Sequence, residues 1–392
     1  MQVEQVKSYK KEIIELNCKI LTPLHIGSGN VLNKGIDFFI DNNQAGIIDI
    51  HKIYNKIGES KIQWWTDKIK SGEDIWYELR DKYKCSLDDI SKEILPLKTS
   101  SYKNQIREFL RNQYTSNPII PGSSIKGAIR TAVFTHKILQ DKSKLEAFKE
   151  KINEAHNKLS NNRKINDLRK DLEHHTNRIV DDIFQNKNIN GEGAQNDVFR
   201  FIQISDVELD KNNLFVAELN TLNWKGVSKD EGNWKIDNRL SILLQVIQGE
   251  FKLTMKIDER FYKYNSFGIS NINDLLKIIN NHFHELSELE KDNFENDSES
   301  GFLSDNLYND ILNCYKNLLN CKYLLRVGFA SGWDFMTGAW AKKLDDEIWN
   351  NLKIFLVKSP GYEKFFFPKT RRLVKVDNKY HVPGYIELSY QN

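Results

Sequence analysis

The sequence lacks the features of a membrane or secreted protein. No stretch approaches the ~18 consecutive apolar residues of a membrane helix, and residues 1–11 are polar and charged, unlike a secretory signal. Cysteine is scarce, with four in 392 residues, and Cys314 and Cys321 are separated by more than the zinc-knuckle spacing. We therefore expect a reduced, cytoplasmic protein with no membrane contact.

An excess of charge of one sign is also lacking. The 57 lysines and arginines nearly balance the 54 acids, so the net charge is only +3, and any basic surface must be local. His174 and His175 are adjacent in a helical stretch and point to different sides, which disfavours a metal site. No zinc-protease, deaminase or kinase signature occurs. We expect neither a metal nor a cofactor.

The apolar patterns predict an α+β fold with antiparallel, ferredoxin-like sheets and large helical insertions. Alternation predicts strands at residues 14–20 and 250–258, and 40% hydrophobic content is enough for a real core. Further predictions are a mostly helical insertion at residues 52–114, amphipathic helices at 140–184 broken near 160–162, helices at 272–286 and 307–319, and loops at 186–196 and 288–300.

Residues 118–130 read PIIPGSSIKGAIR, an extended approach followed by a helix start. Free N–H groups and the helix dipole make such an end a phosphate site, and two cations four residues apart share one helix face. A triphosphate loop is excluded because Ala128 and Ile129 stand where Lys and Ser/Thr belong. The alternative is an ordinary serine-capped helix with surface cations. The candidate phosphate contacts are Gly122, Ser123, Ser124, Lys126, Gly127 and Arg130.

Two later segments also have the composition of a nucleic-acid contact. Residues 323–340 contain Gly328, Gly332 and Gly338, where backbone can approach a ligand closely, and Trp333 could stack on bases. The alternative is a glycine-rich turn with core aromatics. Residues 364–375 contain both basic and aromatic residues, as nucleic-acid-binding segments do. The alternative interpretation of this segment is a strand edge that its charges protect from pairing with other chains. The basic candidates here are Lys369, Arg371 and Arg372.

Catalytic patterns are weak. His25 has no serine or cysteine nucleophile near it in sequence. Asp37 and Asp41 are four residues apart, which is about 13 Å along a strand and too far for one metal ion.

Three pieces in this order resemble one family. They are the loop from Leu24 to Gly29, the motif at residues 120–130 and the glycine-rich loop from Gly328. Together they are similar to the RAMP proteins of type III CRISPR effector complexes. The end of the chain, from Phe367, is most similar to the fifth subunit of the type III-A Csm complex.

The resemblance implies an RRM-like RAMP domain over residues 1–205, with helical insertions near 52–114 and 140–190, and an α+β RAMP part over 206–392. It implies a non-catalytic subunit that binds the guide RNA (crRNA), caps its 3′ end and takes part in its maturation. The implied partners are crRNA, the target RNA indirectly, and other Csm subunits, above all the backbone RAMP subunit and the small helical subunit. The loop containing His25, Gly27 and Ser28 is expected to face the guide backbone.

Two other functions stay open at this point. The related backbone subunit carries its target-cleaving aspartate where this chain has Asp37, so an RNA-processing endonuclease using Asp37 or His25 is the alternative. A protein-interaction scaffold is the third interpretation. It predicts no RNA affinity for the isolated chain.

Overall fold

The computed structural model describes residues 9–160, 163–189, 193–226, 232–295, 308, 311–312, 321–357 and 367–390. Its strands are β1 (Lys11–Leu24), β2 (Gly27–Asn33), β3 (Phe38–Asp41), β4 (Gln44–Ile48), β5 (Ser91–Pro96), β6 (Gln105–Phe109), β7 (Ile119–Ile120), β8 (Ile202–Ile204), β9 (Val207–Glu208), β10 (Leu214–Gly226), β11 (Gly232–Ile236), β12 (Ile242–Asp258), β13 (Lys322–Arg326), β14 (Thr370–Val376), β15 (Lys379–His381) and β16 (Tyr385–Ser389). The helices are α1 (Ile50–Ile57), α2 (Ile62–Ser71), α3 (Trp76–Tyr83), α4 (Leu87–Ile90), α5 (Gly122–Gln140), α6 (Lys142–Ser160), α7 (Ile165–Phe184), α8 (Glu259–Tyr264), α9 (Ile272–Glu295) and α10 (Asp346–Leu356).

One large sheet organises the chain. Its strand order is β13-β16-β1-β12-β10-β14-β15, with β2, β6, β8 and β11 attached at its sides. All pairings are antiparallel except that of β12 with β6. Strands from both sides of the predicted boundary at residue 205 share this sheet, and the division into two domains stays a prediction. The α+β class with antiparallel sheets is confirmed.

The sheet buries apolar residues on two faces. On one face of β1, alternate side chains from Ile14 to Ile20 join the main core, as their period of two predicts. The helices α5 and α9 contribute to the same core through Ile129 and Phe283. The opposite side carries a smaller cluster, here called the small-core face: Phe215, Ala217, Leu219, Leu244, Val246, Val374 and Val376.

The insertion at residues 52–114 is helical only in its first part. Its helices end at Ile90, and together with the sheet β3-β4-β5 they form a separate core around Trp65 and Trp76. Residues 105–109 form β6, which pairs with β2 and with β12. The helical prediction is wrong for this part because both partners of β6 are distant in sequence. Their pairing, rather than the local pattern, determines the strand.

The loop predicted at residues 288–300 is partly wrong, because α9 continues to Glu295. Glu290 and Phe294 lie four residues apart on one helix face, and both are buried. The helix prediction at residues 307–319 lies mostly outside the described residues. The amphipathic helices are confirmed as α6, which ends at Ser160, and α7, which begins at Ile165. The predicted break at residues 161–162 lies outside the described residues.

Candidate nucleic-acid interface

The structure brings together two of the glycine-bearing motifs. The N–H of Phe329 donates to the carbonyl of His25 over 2.8 Å. A Cβ on Gly328 would lie 2.6 Å from that carbonyl oxygen, and the backbone there has φ +89°. Only glycine fits this close approach without strain. The loop after β1 and the glycine-rich loop (residues 328–332) therefore form one feature.

His25 lies under this feature and not on the surface. Its side chain is buried, and Nδ1 lies 2.6 Å from the carbonyl of Gln245, so Nδ1 carries the hydrogen. The rings of Phe109 and Phe329 meet it edge-on. Burial lowers the pKa of His25 to about 4 although the hydrogen bond to Gln245 opposes the shift. His25 is therefore a neutral support for Phe329 near pH 7.

Phe329 lies between two arginines on the small-core face. The guanidinium carbons of Arg107 and Arg372 lie 5.1 and 5.0 Å from its ring centroid. Both distances are within the range of cation–π attraction. Phe329 itself packs against the small-core cluster. We call Arg107 and Arg372 the arginine pair.

Strand register explains how distant segments build this pair. On β6, Arg107 is in register with Leu244 of β12, and Leu244 is in register with Ala217 of β10. On β14, Arg372 is two residues before Val374, which belongs to the small-core face, so both side chains lie on that face. Because alternate residues of a strand share a face, the arginines approach Phe329 from the two sides of a four-stranded surface, β6-β12-β10-β14.

The arginine pair is uncompensated by acids. Neither residue has a hydrogen-bonded or ionic acidic partner in the described part of the chain. Partial burial and then the charge of Arg107 lower the pKa of Arg372, which shows that the two cations repel each other. A phosphate would relieve this repulsion, and guanidinium groups match phosphate oxygens in geometry.

The backbone of the glycine-rich loop adds a second anion-binding element. Its φ angle is positive at Gly328, Ala330 and Gly332 and negative between them. Alternation of this kind turns successive N–H groups to one side and forms an anion-binding concavity. Residues 329–330 form a turn, and the hydroxyl of Ser331 donates to the carbonyl of Gly328 over 2.7 Å. The strained φ of +73° at Ala330 is typical of a functional loop.

Trp333, which is predicted to stack on bases, is half-buried and packs against other aromatic residues. Its ring covers Gly338, where a Cβ would lie 2.2 Å from ring carbons. Trp349 and Phe367 flank it at centroid distances of 6.0 and 5.1 Å. Within the described part of this loop, the ring that lies next to cations without an acidic partner is that of Phe329.

The N-terminus of α5 is already occupied by groups of the protein. The N–H of Gly122 donates to Asp206 Oδ1 over 2.8 Å, so a carboxylate of this chain takes the expected anion position. Lys126 donates to the carbonyl of Ile202 over 2.7 Å, and burial lowers its pKa. Ser123 is exposed and Ser124 is half-buried.

Arg130 is also engaged internally. It forms a 2.7 Å ion pair with Asp197, and its guanidinium carbon lies 3.6 Å from the ring centroid of Phe184. Gly127 is exposed, and a Cβ there would meet nothing within 4 Å. The roles of the six α5 residues in RNA binding stay predictions, and the geometry favours a structural role for both cations.

Arg371 and Arg372 have opposite environments although they are adjacent. Arg371 is buried and forms two bonds to Glu290, at 2.5 and 2.8 Å. Its third contact is the carbonyl of Pro368 at 2.6 Å. Lys369 is half-buried before β14, and its carbonyl accepts from the N–H of Trp224. Within the pair 371–372, only Arg372 presents a guanidinium at the surface.

Ser28 and Gly27 lie at the edge of this region. The hydroxyl of Ser28 donates to Glu108 over 3.1 Å, and Gly27 pairs with Phe109 across β2 and β6. A Cβ on Gly27 would lie 3.2 Å from the ring nitrogen Nε2 of His25. Both residues are therefore adjacent to the support of Phe329, and their contact with RNA stays a prediction.

Asp37 closes a turn before β3. Its Oδ2 accepts from the backbone N–H of Asn33 at 2.8 Å and lies 3.4 Å from the amide nitrogen of the same residue. In the part of the chain that the structure describes, no three histidine, cysteine or acidic residues form a group able to hold a metal ion. Nothing in this arrangement activates the carboxylate.

Arg107 is not predictable from the sequence pattern, and nothing in that pattern distinguishes Phe329 from the other aromatic residues of its loop. Arg107 lies in the segment predicted to be helical, so no strand face was available to place it. Phe329 lies between Gly328 and Ala330 inside the recognised loop, but its spacing does not show which aromatic of the loop meets cations.

Comparisons with known proteins agree with this architecture. The sequence model of the RAMP superfamily matches residues 17–320. A relative from Methanocaldococcus jannaschii, described as CRISPR system Cms protein Csm5, is 27% identical over 287 residues, which cover 67% of this chain and 56% of that protein. The chain thus spans little more than half the length of this curated relative.

Two solved structures share the fold. A chain in the cryo-EM structure of a Csm–crRNA–target RNA ternary complex of a type III-A CRISPR-Cas system is 20% identical, with a TM-score of 0.68 over 96% of this chain and 100% of that chain. The crystal structure of T. onnurineus Csm5 is 17% identical, with a TM-score of 0.61 over 94% and 99%. No described helix is long and apolar enough to cross a membrane.

Proposed function

The chain belongs to the RAMP superfamily, and on that premise we propose that it is a crRNA-binding structural subunit of a type III-A Csm complex. It holds the 3′ end of the guide and takes part in crRNA maturation. The relative named Csm5 and the fold shared with a chain of a Csm–crRNA–target RNA complex support this assignment. The observation that carries it is the arginine pair around Phe329, next to the alternating φ angles of the glycine-rich loop.

The proposed grip is on the RNA backbone. Arg107 and Arg372 neutralise phosphates, and the glycine-rich loop donates N–H groups to their oxygens. Contacts of this kind position RNA without reading its sequence, which a guide with a variable spacer requires. Because Arg107 and Arg372 lie on β6 and β14, on either side of β12 and β10, the grip depends on the folded sheet.

The test is the double variant Arg107→Ala/Arg372→Ala against single-stranded RNAs of unrelated sequence. Each lost phosphate contact removes about 0.7 from the slope of log K against log salt. We therefore expect a slope shallower by about 1.4 and similar affinity losses for all RNAs. The control is Arg239→Ala, which removes an exposed arginine paired with its own Asp237. Unchanged binding of the double variant would refute the proposal.

We further propose that this subunit does not itself cleave RNA. The Asp37 carboxylate serves a turn through Asn33, and neutral His25 is buried. Labelled guide precursor incubated with the protein, with and without Mg²⁺, should remain intact. Cleavage that Asp37→Ala or His25→Gln abolishes would instead establish the endonuclease.

The partners follow from the same assignment. We propose that the helical insertions contact the backbone RAMP subunit and the small helical subunit in the cytoplasm. The α1–α4 insertion has its own core, which allows it to present a rigid surface with exposed Tyr77. Deleting residues 50–90 should preserve RNA binding by the rest of the chain and reduce co-purification of neighbouring subunits. Equal recovery of those subunits would contradict this role.

A further inference from the structure

A cavity of about 530 Å³ lies between α5, α6, α7, α10 and the turn that follows the glycine-rich loop. Protein interiors are packed densely enough that voids of this size are rare, whereas ligand pockets range from about 300 to 1,000 Å³. The cavity is separate from the arginine pair. Its purpose is therefore not explained by the backbone grip.

A group of aromatic rings forms part of its wall. Phe134 and Phe148 meet the ring of Trp340 edge-on at 5.9 and 4.8 Å. Phe184 and Phe355 complete the apolar lining. Such a wall accommodates a flat, apolar-faced group through stacking and edge contacts.

Polar groups lie at the mouth. Glu173 and Asn177 are exposed on α7, four residues apart and thus on one helix face. In the part of the chain that the structure describes, neither has a hydrogen-bond partner. Arg130 also lines the cavity, and its charge is paired with Asp197. The mouth thus offers an acceptor and an amide.

The cavity is adjacent to the proposed RNA surface. Trp333 lines it and also lines a second cavity of about 590 Å³, whose wall includes Phe329 and Arg372. A strand whose phosphates lie on the arginine pair therefore ends or continues within reach of the aromatic cavity. The two cavities share one indole as their boundary.

We propose that this cavity binds the nucleobase of a terminal nucleotide of the RNA held by the chain. The base faces contact the aromatic residues of the wall, and the base edge meets Glu173 and Asn177. This proposal rests on the proposed function, because it requires an RNA strand on the arginine pair. A purely apolar ligand would leave Glu173 and Asn177 unused.

The test compares single-stranded RNAs with an intact or an abasic terminal nucleotide, at the 3′ end and at the 5′ end separately. Stacking on aromatic side chains is worth about 1–3 kcal/mol per base, so the intact RNA should bind about 5- to 150-fold more tightly at one end. Val180, a half-buried cavity residue on α7, provides the variants. Val180→Trp fills the cavity and should abolish the preference, while Val180→Thr keeps the volume and should retain it.

The outcomes separate this proposal from the function on which it rests. Arg107→Ala/Arg372→Ala should weaken the binding of both RNAs, because both carry the phosphates that the arginine pair holds, whereas Val180→Trp should weaken the binding of the intact RNA only. Equal affinity of the wild-type protein for intact and abasic RNAs at both ends would overturn the cavity proposal and leave the grip intact. A terminal 4-thiouridine should crosslink to α6, α7 or residue 340 of the wild-type protein. Crosslinks confined to other segments would also overturn the proposal.

Discussion

Replacing Glu290 by glutamine tests whether a buried ion pair positions the glycine-rich loop and β14. Glu290 on α9 is 4% exposed, and Arg371 on β14 is 9% exposed. Burial works to raise the pKa of Glu290, but the charge and hydrogen bonds of Arg371 outweigh it and lower the pKa. The substitution keeps the shape of the side chain, removes its charge and replaces one of the two oxygens that accept from Arg371 with an NH2 donor.

The expected loss of stability follows from the charge left behind. Removing one partner of a buried pair costs about 3–5 kcal/mol, because the other charge stays desolvated and unpaired. Asp334 lies 3.6 Å from Arg371 and retains part of the compensation. Burial raises the pKa of Asp334, which limits this help. We therefore expect about 3 kcal/mol, at the lower end of the range.

Urea unfolding measures this loss, and hydrogen exchange locates it. Exchange should accelerate first in β14 and in the glycine-rich loop, because Arg371 connects β14 with α9 and with Asp334 near that loop. RNA affinity should fall as well, since Arg372 and Phe329 depend on these two segments for their positions. The variant Glu290→Leu/Arg371→Met replaces the pair with apolar groups and should recover most of the stability. A change below about 1 kcal/mol in Glu290→Gln, with unchanged exchange, would refute the reasoning.

Three further predictions concern the same region and the acid response. Burial lowers the pKa of His25 and of His282 to about 4. Between pH 6.5 and 4 only the unfolded chain takes up these protons, so the free energy of unfolding falls by up to about 3 kcal/mol for each histidine. His282→Phe should therefore make the free energy of unfolding less dependent on pH, and an unchanged slope would contradict this. Gly328→Ala should destabilise the loop by clashing with the carbonyl of residue 25. Gly332→Ala meets no atom and should cost only the roughly 1–2 kcal/mol of a side chain at positive φ, and thermal unfolding can compare the two variants. Phe329→Ala removes two cation–π contacts of about 0.5–1 kcal/mol each and should weaken RNA binding about 5- to 30-fold, while Phe329→Tyr should not.

The parts of the fold that were predictable have local patterns. The alternation from Ile14 to Ile20 predicts β1 because only one face of this strand is buried. The three-to-four-residue spacing in α6 and α7 likewise predicts two helices. By contrast, β6 is short and is held between β2 and β12. No window of sequence around it contains the partners that make it a strand.

The candidate site could not be predicted because it, too, depends on contacts between segments that are distant in sequence. Sequence reveals where cations are, but tertiary pairing decides which of them remain free. Lys126 and Arg130 share a helix face as predicted, yet Ile202 and Asp197 engage them.

The adjacent residues Arg371 and Arg372 show the same effect within one strand. Because successive side chains of a strand point to opposite faces, Arg371 pairs with Glu290 inside the protein and Arg372 lies at the surface next to Phe329. A basic segment thus predicts that a phosphate site exists nearby. Which of its cations can bind the phosphate depends on which of them folding pairs with acidic residues. Folding places Arg107 and Arg372 next to Phe329 and pairs neither of them with an acidic residue. RNA affinity should therefore depend on these two arginines and not on the total charge of the segment.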